Sequence, residues 1–178
     1  LLKWLDKVRP EEIILETHLN TLDRDTILTV RELLPNKKVS FEIGVESVSP
    51  DVLFYSMNKP SGIERMKEKL ELIHSVHAAC IANVLLGAPF LTREEQIWDS
   101  VEAIRALLDA GADSVVLFPV NIKPHTLPDL LYEEGMYQQI RADMLVTVLE
   151  QIPETELHRV DLSWYGEHAE EKVIGPYY

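Results

Sequence analysis

The feature that most constrains this chain is a regular alternation. Short apolar runs of strand length are each followed by a segment with apolar residues at helical spacing. The first run is Ile13-Ile14-Leu15-Glu16-Thr17-His18. A helix over 23–34 follows it, with Ile27, Val30, Leu33 and Leu34 on one face and Pro35 as its stop. The second run covers 39–46 and leads into a helix over 61–78, with Ile63, Met66, Leu70 and Ile73 spaced for one face. The third run covers 81–86. Its helix opens on Thr92-Arg93-Glu94-Glu95, a threonine cap with a glutamate three residues on, and closes at Gly111. The fourth run covers 114–120 and precedes a helix over 139–151. A last strand candidate covers 158–164.

Apolar strands separated by amphipathic helices predict parallel strand–helix–strand crossovers, an α/β fold. Side-chain alternation then separates two architectures. Phe41, Ile43 and Val45 share one face of the second strand, and Glu42, Gly44 and Glu46 share the other. Ile14, Glu16 and His18 face one way in the first strand, and Asn83 lies opposite Ala82 and Val84 in the third. A doubly wound sheet is covered by helices on both faces and reads apolar on both. One polar face, curled around a cavity, suits a barrel or partial barrel of the TIM type. Four or five strands do not close an eight-stranded barrel.

The boundaries predicted are a partial barrel of four strand–helix units over residues 1–152 and an extension over 153–178 with a possible further strand. The first residue is Leu1, and Leu1, Leu2, Trp4, Leu5 and Val8 have helical spacing. The chain is therefore expected to be a piece of a longer protein.

Composition excludes several classes. Thirty acidic residues against 17 basic ones give a net charge of −13, which repels polyanions, and no basic stripe for a nucleic acid is evident. No apolar run reaches the roughly 18 residues of a membrane span. The one cysteine, Cys80, makes neither an internal disulfide nor a thiolate cage and reads as a buried small apolar residue. A reducing cytoplasm fits this usage.

In parallel α/β folds, ligands sit beyond the carboxyl ends of the strands. Those ends hold His18 and Asn20, then Glu46, Ser47 and Ser49, then Gly87, Ala88 and Pro89, and last Asn121, Lys123 and His125. Small residues at Gly87 and Ala88 let a ligand approach the backbone. Carboxylates at Glu42 and Glu46 suit sugar hydroxyls, an ammonium group or a proton. His74 and His77 stand three apart on a helix without an evident third metal ligand. His158, Asp161, His168 and Glu170 have no spacing that defines a metal site, so no metal ligand is assigned.

The order of these motifs resembles a known family. Phe41-Glu42-Ile43-Gly44-Val45-Glu46-Ser47, followed by Ser49-Pro50-Asp51-Val52-Leu53 and Met57-Asn58-Lys59, is similar to the fourth strand and loop of radical S-adenosylmethionine enzymes. The Elp3-like and archaeosine-synthase-like branches match best. Asn83-Val84-Leu85-Leu86-Gly87-Ala88-Pro89 resembles the next strand of that barrel, and Phe118-Pro119-Val120-Asn121-Ile122 the one after. The resemblance covers about residues 13–135 and implies the C-terminal part of the barrel. It implies that Glu46 and Ser47 bind the ribose or amino-acid part of S-adenosylmethionine. It also implies that the backbone at Leu85 to Gly87 and at Val120 and Asn121 packs on adenine, and that Glu16, His18 and Glu42 face the substrate. The implied cofactors are S-adenosylmethionine and a [4Fe–4S] cluster, and transfer RNA is the substrate class of the close branches.

The chain departs from the family in lacking the Cys-x3-Cys-x2-Cys cluster motif. Taken alone, it is not expected to catalyse the reaction. Two other readings stand beside this one: a stand-alone α/β ligand-binding module, and a cluster-free TIM-barrel enzyme using Glu42, Glu46 and His18 in acid–base work.

Overall fold

A computed structural model describes residues 10–59 and 62–162. Five strands form one parallel sheet in chain order: β1 (Glu12–His18), β2 (Lys38–Glu46), β3 (Ala79–Leu86), β4 (Ser114–Pro119) and β5 (Val160–Asp161). Five α-helices connect or flank them: α1 (Arg24–Leu33), α2 (Ile63–Ser75), α3 (Arg93–Asp109), α4 (Leu127–Glu133) and α5 (Ala142–Glu150). Each strand pairs with its sequence neighbour, so the sheet grows in one direction. Right-handed crossovers in such a sheet set every connecting helix on the same face. A doubly wound sheet reverses direction at a switch point, and no reversal occurs here. Among the described residues the sheet is open, with β1 and β5 at its edges. This is the predicted α/β partial barrel.

Burial follows the predicted alternation. Phe41, Ile43 and Val45 are buried on the helix side, as are Cys80, Ala82, Val84 and Leu86 of β3. Met66, Leu70 and Ile73 of α2 and Val101, Ile104 and Leu107 of α3 pack into the same core. On the other face, Glu42, Gly44, Asn83, Leu85 and Phe118 keep partial exposure, and Ile14 is 52 % exposed. That face lacks a helical cover among the described residues.

α3 is the best-defined helix because both ends are closed by local chemistry. The Thr92 hydroxyl accepts from the Glu95 amide, and the Glu95 carboxylate accepts from the Thr92 amide, so two end donors are satisfied reciprocally. At the other end Gly111 has φ +103°. Its amide reaches Leu108 O and the Ala112 amide reaches Leu107 O, which satisfies two final carbonyls.

Differences from the expected elements are local. Residues 127–133 form α4, which begins with Pro128 in its first turn, a segment to which the sequence reading assigns no element. The helix expected from 139 begins at Ala142, yet Ile140 is fully buried. Within the described part of the expected last strand, a 3₁₀ turn at Leu157–Arg159 precedes two paired residues, Val160 and Asp161. Arg159 binds the carbonyls of Ala112 and Asp113, so the sheet continues past residue 152. The helical spacing at residues 1–8, the end of the expected last strand at 163–164, His168 and Glu170 lie outside the described residues. No described helix is long and apolar enough to cross a membrane.

Candidate functional site

The polar face is assembled by strand register. Glu16 lies beside Glu42 and His18 beside Gly44 across the β1–β2 pair. Gly44 lies beside Asn83, and Leu85 beside Phe118, across the next two pairs. Asn83 donates from Nδ2 to Glu42 Oε1 at 3.0 Å, joining two adjacent strands on the polar face. His18 accepts at Nδ1 from the Asn20 amide at 3.1 Å, which in the neutral ring leaves the proton on Nε2. The three substrate-facing candidates, Glu16, His18 and Glu42, are thus neighbours.

At the rim the β2–β3 register shifts between Gly44 and Glu46. This bulge turns Glu46 into the left-handed region, φ +67°, which a non-glycine residue adopts only under constraint. The constraint is an internal clasp. Lys59 donates from Nζ to Glu46 Oε1 and to the Gly44 carbonyl, both at 2.7 Å. A Cβ at Gly44 would stand 2.9 Å from Glu46 Oε1 and 3.3 Å from Lys59 Nζ, so the missing side chain makes room for the ion pair. Both partners are largely shielded, with side chains 23 % and 12 % exposed.

Among the described residues, three buried acceptor oxygens lack a partner: Glu46 Oε2, Asn83 Oδ1 and Asn121 Oδ1. Buried polar atoms are rarely left so in native proteins, and each calls for an explanation. All three are acceptors, and they belong to β2, β3 and the segment just after β4. Val120 extends that segment as strand-like backbone, its amide donating to Leu86 O at 2.9 Å. A donor-rich ligand satisfies such a set.

Not every expected contact residue points this way. Ser47 is 1 % exposed, and its hydroxyl donates to Asp99 Oδ1 on α3 at 2.7 Å, on the helix side. The space beside Gly87 is also taken. With φ +106°, a Cβ there would meet Ile140 Cδ1 at 2.3 Å, and the Gly87 carbonyl accepts from the Tyr137 hydroxyl at 2.7 Å. The backbone approach expected at Gly87 and Ala88 is therefore made by the protein's own side chains, and Ala88 is buried. Burial raises the Tyr137 phenol above its ordinary range and keeps it a donor.

Lys59, Asn83 and Asp99 are the residues that sequence reasoning left out of the site. Asn83 carried a signal, since it shares its face with Glu42 and Glu46 by strand parity. Lys59 stands in a quoted motif without an assigned role, and Asp99 looks like an ordinary polar residue of an amphipathic helix.

The residues present do not fit an iron–sulfur cluster. Cys80 is fully buried on the helix side of β3, where burial, and then the nearby Asp113 carboxylate, push its thiol up to about 12. Among the described residues no group of three His, Cys, Asp or Glu is placed to hold a metal ion. His74 contacts Asp113 instead, Nε2 to Oδ2 at 2.9 Å.

An open run of parallel strands, helices on one face and polar groups at the strand ends describe a partial TIM-type barrel, a fold similar to that of solved radical S-adenosylmethionine enzymes. Among solved structures, Elp3 of Methanocaldococcus infernus matches with a TM-score of 0.68 and 17% identity, over 90% of this chain and 37% of that one. The radical S-adenosylmethionine methyltransferase TsrM of Kitasatospora setae, solved with cobalamin and a [4Fe–4S] cluster, matches with 0.63 and 11%, over 90% and 41%. In sequence, the chain is similar to archaeosine synthase subunit beta of Thermococcus kodakarensis, 25% identical over 138 residues, 78% of this chain and 42% of that protein. The chain spans about two fifths of the length of the curated relatives it matches. No family model matches it.

Proposed function

We propose that this chain supplies the S-adenosylmethionine-facing and substrate-facing side of a radical S-adenosylmethionine enzyme. The observation that carries the reading is the row of unpartnered acceptors on Glu46, Asn83 and Asn121, on a fold shared with such enzymes. S-adenosylmethionine offers the matching donors: an ammonium group, two ribose hydroxyls and the adenine amine. In this reading Glu46 binds the ribose or the ammonium group. The backbone at Leu85 and at Val120 and Asn121 lies along adenine, while Gly87 is covered by Ile140 and Tyr137, and Glu16, His18 and Glu42 face the substrate. Ser47 supports Glu46 from behind. The name of the Thermococcus relative supports a nucleoside substrate, and transfer RNA is the class to test first.

The cluster has no ligand set among the described residues, so these residues bind and orient, and catalysis is expected only of the full-length protein. The test uses that protein, reconstituted without oxygen with iron and sulfide, then reduced in the presence of S-adenosylmethionine. Formation of 5′-deoxyadenosine is expected, and Glu46→Gln lowers it by about tenfold or more, as loss of a charged hydrogen bond does. A reconstituted protein that binds S-adenosylmethionine no better than its Glu46→Gln variant overturns the reading. Turnover that needs no iron points to the acid–base enzyme.

A further inference from the structure

The strained conformation of Glu46 needs an anchor on the side away from Lys59, and one is present. Ser47 follows Glu46 directly, and its hydroxyl lies at the centre of a short chain of hydrogen bonds. It donates to Asp99 Oδ1 at 2.7 Å and accepts from the Ser49 amide at 3.0 Å. The Ser47 amide also closes onto the Val45 carbonyl at 2.9 Å. Asp99 sits in the seventh position of α3, the helix with both ends closed, and is 3 % exposed. A carboxylate buried this deeply is expensive, and Ser47 is the hydrogen-bond partner seen for it. An apolar residue at position 99 would avoid that penalty. The carboxylate is therefore best explained by what it holds.

We propose that Asp99 is a positioning residue for the Glu46 carboxylate, acting through the Ser47 hydroxyl to lock the β2 bulge onto α3. The inference rests on the reading that Glu46 contacts S-adenosylmethionine. Lys59 fixes the end of the Glu46 side chain, and the Ser47–Asp99 link fixes its backbone. With both in place Glu46 Oε2 is held ready for a donor, and the ordering entropy is not charged to ligand binding. Asp99 touches no ligand in this account.

The test measures S-adenosylmethionine affinity by calorimetry on the full-length reconstituted protein, at a temperature where every variant is folded. Ser47→Ala and Asp99→Ala are each expected to weaken binding by about tenfold. Asp99→Asn keeps an acceptor oxygen for the Ser47 hydroxyl and is expected to restore most of that loss. Val101→Ala removes buried apolar volume from the same helix and leaves the Ser47–Asp99 link intact, so it is expected to leave affinity within about twofold. If Val101→Ala weakens binding as much as Asp99→Ala, general loosening of α3 explains the effect and the inference fails. If Asp99→Ala binds normally while Glu46→Gln does not, the inference fails alone. If Glu46→Gln binds normally, the Glu46 contact fails and takes the inference with it.

Discussion

Two glycines show how differently one residue type can be required. Gly111 and Gly87 have nearly the same positive φ, +103° and +106°. Around Gly111 the nearest atom to an added Cβ is His74 Cε1 at 3.9 Å, so Gly111→Ala meets only backbone strain. A loss of about 1 kcal/mol is expected by denaturant unfolding. Gly87→Ala meets the same strain and also collides with Ile140 and Tyr137, so a loss of at least about 2 kcal/mol is expected. Shortening Ile140 to Val in the Gly87→Ala background is expected to return part of it, and no recovery would show that the collision is relieved elsewhere. Asp99 gives a pH-dependent prediction. Burial raises its pKa above the ordinary carboxylate range, the Ser47 hydrogen bond opposing this in part. Above the raised value the folded state holds a charge that the unfolded state carries more easily, so ionisation destabilises the fold at neutral pH. That cost disappears as pH falls into the ordinary carboxylate range. Asp99→Asn is therefore expected to unfold at higher denaturant than the parent at pH 7, with the gap closing as pH is lowered. At this scale the sequence was legible where parity decides, as for Glu42 and Glu46. It was not legible where a contact spans 52 residues, as between Ser47 and Asp99. Nothing local distinguishes a serine that faces a ligand from one that braces a helix.

The elements were read best where their signals are local. The Thr92–Glu95 box and Gly111 delimit α3 by rules that act within one turn, and both ends stand where those rules put them. Thr92→Ala is expected to cost about 1 kcal/mol, because one amide at the helix start loses its acceptor. The sequence reading assigns no element to α4, although proline in a first turn suits a helix start. The expected start of α5 at 139 confused burial with helicity. Ile140 is apolar because it fills the space beside Gly87, and it does so from non-helical backbone. The bulge at Gly44 and Glu46 has no periodic signature, since it appears only where two strands fail to keep step.

For the whole molecule, the ladder order predicts a gradient of stability. β3 is paired on both sides, through six residues with each neighbour, whereas among the described residues β1 has one partner and β5 pairs through two residues. Amides of β2 to β4 are expected to exchange with solvent most slowly, and those of β1 that face the free edge faster. Equal protection across the sheet would mean that the edge of β1 is covered in solution. The fold class was legible because five apolar runs on a helical spacer admit few arrangements, and one polar side per strand chose between the two that remained. The unpartnered acceptors could not be read, since they emerge only when three strands are laid side by side.

Strand order also bears on how the chain assembles. Each strand needs only the one made just before it, so no segment waits for a distant partner. As synthesis proceeds, a new strand and its helix meet an edge already built by the preceding unit, and long-range loop closure is never required at once. A sheet of this order can be lengthened or cut between units without rewiring those that remain. The same growth rule makes β5 the edge reached last among the described residues.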